Sequence, residues 1–386
     1  MWLRYGVDVN NTLVAIEDTR SGKTNLGCPY CGNQLIAKKG RVKQHHFAHN
    51  DETCRMVIKG ELRDLPTLPL YDAFDIFLTG KELEQLKKLW HRHKSHDNGI
   101  HSLELLSAFT RENLLAFNQH LNSGSGSGAY QFTDLGKIPV GALSLSRFNS
   151  VQEPLILQKL TALEANIFNN QGTVLPEPEL SFCLTDLRIY SAQLRKILLS
   201  TLYYLEVKAD GQILYKIGVT TRPISQRIAE IYRDMRSHFQ AVTIKVLGTW
   251  VHRGNVEKYF KYRYSAFNYP IGSLTEYFQF VDPDNTQAVK HDLDSMQVKV
   301  LSPVEQEIFE GKPSLIEQAL YPQTMPQERS HYCELERVFL ASPSSVGVIE
   351  ALYQGYSLNQ AAEIASVPVN TARKVLAVLQ KQQISG

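Results

Sequence analysis

Hydrophobic and polar positions change their period several times along the chain, and each change marks a block. Residues 1–60 alternate polar and apolar positions around Cys28, Cys31, a histidine cluster and Cys54. Residues 61–121 carry helical spacing, first in Leu83, Leu86, Leu89 and Trp90, then in Leu103, Leu106, Phe109, Leu114 and Phe117. The helical region ends at residues 122–128, Asn-Ser-Gly-Ser-Gly-Ser-Gly, which has the composition of a flexible linker. Residues 122–199 read as linker and mixed segment, with one helical run near 194–199. Between 200 and 282, short strand-like and helix-like segments alternate. Residues 283–332 form a connection, rich in Pro, Gln and Glu over 310–329, and 333–386 is helical with Gly355 and Pro368 as punctuation.

The 200–282 block carries the sharpest local pattern. Residues 202–207 and 213–219 flank a turn containing Asp210-Gly211, a strong hairpin signal. Alternate residues of a strand share a face, so Tyr204 and Glu206 point one way and Tyr203 and Leu205 the other. In the helix that follows, Ile224, Ile228, Ile231 and Met235 form an apolar stripe with Arg227 on its flank. A further helix around 253–267 has Val256, Phe260 and Phe267 as its stripe, with Glu257 again on the flank. Both charged side chains thus fall at the seam between core and solvent, where a shallow active site can use them.

Composition adds bounds. A chain of 386 residues is too long for one small core and predicts two to four domains. Its 43% hydrophobic and 21% charged residues are ordinary for a soluble globular protein. The net charge of +2 conceals local excess: residues 1–60 hold nine Lys/Arg against five Asp/Glu, and 200–282 hold eleven against seven, +4 in each case. Such excess suits a polyanionic partner. No run has signal-peptide character or the roughly 18 apolar residues of a membrane helix, so a cytoplasmic protein with no membrane partner is expected.

Three of the five cysteines lie within the first 54 residues, a clustering that points to metal rather than to disulfides in a reducing compartment. Cys28-Pro-Tyr-Cys31 is a knuckle whose thiolates can share one zinc, and His45-His46-Phe-Ala-His49 and Cys54 follow a basic stretch. The expected structural zinc site is Cys28, Cys31, His49 and Cys54, with His46 as the second choice of histidine. The Cys-Pro-x-Cys, Lys-Lys-Gly and His-His-Phe-Ala-His elements resemble the N-terminal region of CoiA-like competence proteins, which implies a DNA-handling context. A second histidine group, His91, His93, His96 and His101, has no cysteine or carboxylate constellation beside it and reads as a solvated helix end.

The central block resembles a GIY-YIG nuclease domain of the phage-type branch. Leu202-Tyr203-Tyr204 stands for Gly-Ile-Tyr, Lys216-Ile217-Gly218 for Tyr-Ile-Gly, and Thr275-Glu276-Tyr277-Phe278 for the closing motif of that branch. The resemblance implies a small antiparallel sheet flanked by helices and a catalytic set of Tyr204, Lys216, Arg227 and Glu257. Glu257 would hold a catalytic Mg²⁺, Arg227 would clamp the scissile phosphate, and Tyr204, helped by Lys216, would orient or deprotonate the attacking water.

Near the C-terminus, residues 348–365 read as two helices with Ser357 as N-cap, and a Ser366-Val367-Pro368 turn leads to a further helix. This resembles a resolvase-type helix-turn-helix, with Ala362, Ile364, Val367, Val375 and Leu376 closing the core. Asn370, Thr371, Arg373 and Lys374 would face DNA. The expected fold class is α+β and multidomain: a zinc module (1–60), a helical region (61–121), a GIY-YIG domain (200–282) and a helix-turn-helix (333–386). The expected function is a Mg²⁺-dependent DNA endonuclease held on its substrate by the two terminal modules. The alternatives are a DNA-binding regulator with an inactive nuclease-like domain, or a zinc module that docks a protein partner.

Overall fold

The computed structural model describes residues 3–40, 45–50, 65–71, 76, 78–94, 99–101, 106–120, 129–177, 179–272, 274, 276–280, 282–312, 314, 316, 318 and 335–385. The protein is mixed α and β, with antiparallel sheets, and it divides into two compact units. One comprises Met1–Pro69, Pro154–Arg195 and Ser302–Gly386; the other comprises Leu70–Glu153 and Lys196–Leu301. Each unit therefore draws on several of the sequence blocks. Among the described residues, no helix is long and apolar enough to cross a membrane.

The first unit opens with a five-stranded antiparallel sheet in the order β2-β1-β3-β4-β5. Its strands are β1 (Tyr5–Val7), β2 (Leu13–Ala15), β3 (Gly22–Gly27), β4 (Gln34–Lys38) and β5 (His46–His49). Leu3, Ile16, Cys28, Leu35, Ala37 and Phe47 form its small core. Two long helices, α4 (Leu145–Ala165) and α5 (Glu179–Leu199), occupy the segment expected to be linker and mixed; α4 from Pro154 on and α5 as far as Arg195 belong to this unit. Pro154 lies inside α4, and α5 buries residues such as Leu184, Leu187, Tyr190 and Ile197 on more than one side. Neither helix therefore shows the single apolar stripe by which a helix is recognised. Ile189 of α5 packs with Tyr5 and Ala15 of the sheet.

The C-terminal helices α10 (Pro343–Tyr353), α11 (Leu358–Ile364) and α12 (Val369–Ser385) belong to the same unit. Ser357 caps α11 in a reciprocal box with Gln360, as its position predicted. Ser366 takes a left-handed φ of 54° in the turn before α12. Ala362, Val367 and Val375 are buried as expected, but Ile364 is 55% exposed and does not close the core.

In the second unit, α1 (Gly80–His93) follows a capping box of Thr79 and Glu82 and buries Leu86 and Leu89. His91 and His93 fall in its last turn, and His96 lies outside the described residues. The second expected helical run is only partly helical. After α2 (Ser107–Arg111), Asn113 takes φ 54°, ending the helix, and β6 (Leu115–Asn118) follows. Strand β6 pairs antiparallel with β7 (Ala129–Phe132), from Leu115↔Phe132 to Asn118↔Ala129. The strands on either side of the Gly-Ser segment thus pair with each other; residues 121–128 and Leu103 lie outside the described residues. A short helix, α3 (Asp134–Lys137), follows β7.

The main sheet of this unit is antiparallel in the order β10-β8-β9-β11. Strands β8 (Thr201–Ala209) and β9 (Gln212–Thr220) form the predicted hairpin, with Asp210 at φ 46° and Gly211 at φ 83° in the turn. Strand β10 (Val242–Val251) pairs with β8, and the two-residue β11 (Tyr277–Phe278) pairs with β9. Helix α6 (Ile224–Arg236) packs Ile224, Ile228, Ile231 and Met235 with Tyr203, Leu205 and Tyr277 on one face of the sheet. Tyr204, Tyr215 and Ile217 join a larger core on the other face, with Val256, Tyr259 and Phe260. The last two belong to α7 (Glu257–Arg263). Helices α8 (Pro283–Asp294) and α9 (Pro303–Glu310) follow, the first in this unit and the second in the other.

Candidate active site and metal centre

The metal group forms where β3 turns into β4. The Cys28 amide donates to the Asn33 carbonyl and the Gly32 amide to the Cys28 carbonyl, each at 2.8 Å, with Gly32 at φ 75°. This tight knuckle turns both thiols toward β5, where His49 pairs in register with Leu35. The ligand atoms of Cys28, Cys31 and His49 lie within 4.8 Å of one another, and Cys31 Sγ is 3.4 Å from His49 Nε2. A tetrahedral zinc with ordinary Zn–S and Zn–N bonds places such a pair roughly 3.6 Å apart, so the group fits a metal such as zinc. Burial pulls the His49 pKa down, favouring the neutral imidazole that a metal requires. His46 is also buried, but it does not join the group. Cys54 lies outside the described residues. Tyr30, inside the knuckle, donates to Asp186 of α5 at 2.7 Å, which ties the turn to a long helix.

The second cluster lies on the α6 face of the main sheet. Register sets it: Tyr203 pairs with Gly218 and Leu205 with Lys216, while Lys216 pairs with Tyr277. Tyr203, Lys216 and Tyr277 therefore share one face. Arg227, half-buried on α6, donates from Nε to Tyr203 Oη at 3.3 Å and from Nη1 to Glu230 at 2.9 Å. Lys216 Nζ donates to Glu276 at 2.8 Å and sits 4.6 Å from the Tyr277 ring centroid. Gly218 is required where it stands, since a Cβ there would be 2.5 Å from Tyr203 Oη.

Glu257 enters from the first residue of α7. The approach to it is fixed by buried polar contacts. Asn255 donates to Gln152 at 2.9 Å, and Arg253 bonds Glu153 and, at 2.6 Å, the Gln297 carbonyl; Lys299 also bonds Glu153. Desolvation pushes the Glu257 carboxyl up to about 7; the negative charge of Glu276 adds to this, and Lys216, Lys261 and Arg227 oppose it. Desolvation also acts upward on Glu276, but the Lys216 ammonium outweighs it and holds that carboxyl below its usual range. Burial raises the Tyr203 phenol despite the Arg227 contact, so it stays protonated at neutral pH. Mutual charge effects link Tyr203, Arg227, Lys216, Glu257 and Glu276 as one candidate cluster.

Tyr204 is not among them. It points to the opposite face, is fully buried, stacks on Tyr215 with centroids 5.7 Å apart, and leaves its hydroxyl without a partner among the described residues. Desolvation raises its pKa far out of the working range. Its neighbour Tyr203 meets Arg227 instead, because the period of two sends adjacent residues to opposite faces. Glu276, within the Thr-Glu-Tyr-Phe motif, also joins the cluster through Lys216; Thr275 lies outside the described residues.

The residues expected to face DNA on α12 also separate. Asn370 and Arg373 are exposed, and Arg373 donates to Asn370 at 3.0 Å. Thr371 is buried alongside Ala372 and Val375. Lys374 turns back to donate to the Ala165 carbonyl at 3.0 Å, capping the end of α4. The inner stripe of α12 claims both, because residues 371, 374, 375 and 378 fall on one side of a helix.

Two expectations follow. Between its ordinary 4.5 and about 7, Glu257 keeps a proton in the folded chain that the unfolded chain has lost, so its contribution to stability falls as pH rises through that window. Glu257→Gln should match wild type in melting temperature near pH 4.5 in EDTA. Above pH 7.5 it should be more stable, by on the order of 1–3 kcal/mol. A difference that does not change with pH would contradict the burial account. Metal analysis of purified protein should find about one zinc per chain, lost in Cys28→Ser and in His49→Ala; unchanged zinc in both variants would remove the site.

Comparison with known protein families places two segments. Residues 10–57 match the family described as competence protein CoiA, N-terminal domain, and residues 200–319 match the T5orf172 domain. No curated protein and no solved structure matches the chain. The first match covers the metal knuckle and β5, and the second covers the Tyr203–Glu257 cluster and runs well past residue 282. The T5orf172 domain is nuclease-associated, and together the two matches indicate a DNA-related function.

Proposed function

We propose that the protein is a Mg²⁺-dependent DNA endonuclease with a GIY-YIG-type site. The observation that carries this reading is the Tyr203–Arg227 contact and the Lys216–Glu276 pair on one sheet face, with the Glu257 charge acting on Tyr203, Lys216 and Arg227. The first motif is then read one residue earlier, as Thr201-Leu202-Tyr203, with Lys216-Ile217-Gly218 as the second.

Glu257 suits a hard divalent cation: it is a desolvated carboxylate at the helix start with a second acid, Glu276, nearby. When bound, Mg²⁺ supplies positive charge to the phosphate that is attacked. Arg227 grips that phosphate through its planar fork, with its orientation set by Glu230. Tyr203 Oη accepts from Arg227 and keeps its own proton, so it orients a water or a phosphate oxygen and does not act as the base. Lys216, paired with Glu276, helps to keep Glu257 ionised.

The N-terminal knuckle is a structural zinc site, for which Cys54 is the candidate fourth ligand. Helices α11 and α12 act as a helix-turn-helix, offering Asn370 and Arg373 to DNA; Thr371 and Lys374 serve packing instead.

Incubation of the purified chain with duplex and single-stranded DNA should give strand breaks in Mg²⁺ and none in EDTA. Glu257→Gln and Arg227→Ala should each lower the rate by about 100-fold or more. Cleavage that ignores both substitutions would overturn the assignment. Band shifts without any cleavage would favour a DNA-binding regulator.

A further inference from the structure

Three cations act on the Glu257–Glu276 pair, and two of them bond neighbouring side chains. Lys216 has a side chain only 5% exposed, bonds Glu276 at 2.8 Å and lies over Tyr277. Arg227 is held between Tyr203 and Glu230. Lys261 differs from both. It is exposed, and no hydrogen bond or ion pair joins it to any described residue; its ammonium lies 5.3 Å from the Tyr262 ring centroid.

Its place on the helix is specific. Lys261 follows Glu257 by four residues on α7, so the two share a face one turn apart. Its charge acts on both Glu257 and Glu276. An ammonium that served only to hold a carboxylate ionised would sit against it, as Lys216 sits against Glu276. Lys261 instead keeps its donors in solvent at the rim of the cluster. A flexible point charge with three free donors is suited to a phosphate.

We propose that Lys261 binds a second phosphate of the DNA strand, next to the one gripped by Arg227, so that the site holds two successive phosphates of its substrate. The inference rests on the endonuclease reading and assigns Lys261 a substrate-binding role within that site.

The test uses full-length Glu257→Gln protein, which is expected to bind DNA without cutting it. A fluorescently labelled duplex is titrated between about 50 and 200 mM salt, a range in which phosphate contacts dominate affinity. Adding Lys261→Gln should weaken binding severalfold and make the slope of log K against log salt shallower by about 0.9, the value of one lost phosphate contact. Adding Lys261→Arg instead should restore the slope. Unchanged slope and affinity in the Lys261→Gln background would overturn the assignment while leaving the nuclease reading intact. No salt-dependent binding by the Glu257→Gln protein itself would overturn both. Because Lys261 is exposed, equal melting temperatures of the three proteins are expected and exclude misfolding as the cause.

Discussion

The register of the β8–β9 hairpin decides which side chains meet. Asp210 and Gly211 both adopt positive φ, the geometry of a tight two-residue turn, and they lock Leu205 opposite Lys216 and Tyr203 opposite Gly218. A slip of one residue would turn over the side chains of the strand that slips, moving Tyr203 or Lys216 into the aromatic core and bringing Tyr204 or Tyr215 out of it. Both faces resist that slip. On one, Tyr203, Leu205 and Tyr277 pack with Ile231 and Met235 of α6; on the other, Tyr204 and Tyr215 pack with Val256, Tyr259 and Phe260. Gly218 completes the lock, since its missing side chain makes room for the Tyr203 hydroxyl.

Against this sheet, helices deliver the charged groups from two directions. Helix α6 carries Arg227 on the edge of its apolar stripe, close enough to bond Tyr203. Helix α7 carries Glu257 at its first residue, and the loop before it is anchored by Asn255 to Gln152 and by Arg253 to Glu153. These contacts are largely buried, so each is a strong positional constraint: breaking one strands a desolvated polar group. A carboxylate held this firmly in a desolvated place carries a raised pKa, and nearby cations offset part of that cost. Rigidity of support and perturbed titration have the same origin here.

Much of this was legible in the sequence because it rests on short-range periodicity. The hairpin, the α6 stripe, the Ser357 cap and the Cys28–Cys31 knuckle all follow from local pattern and turn chemistry. The sequence is less legible where a local pattern does not fix the environment. Tyr203 and Tyr204 are adjacent and chemically identical, so only the packing on each face separates the one that meets Arg227 from the one in the aromatic core. Thr371 and Lys374 look like surface polar groups until the stripe of α12 and the carbonyl at Ala165 claim them. Helices α4 and α5 bury residues on several sides and so lack the amphipathic signal. The Gly-Ser run has a linker's composition, yet the strands on either side of it pair.

The central claim is that the chemistry uses the Tyr203 face of the sheet and not the Tyr204 face. It is tested most directly by comparing Tyr203→Phe with Tyr204→Phe in Mg²⁺-dependent cleavage of DNA. Removing the Tyr203 hydroxyl takes away the group bonded to Arg227 and should lower the rate by about 100-fold. Removing the Tyr204 hydroxyl deletes a buried polar atom with no partner among the described residues, which should leave the rate within a few-fold of wild type. Loss of cleavage in Tyr204→Phe with full activity in Tyr203→Phe would contradict the account.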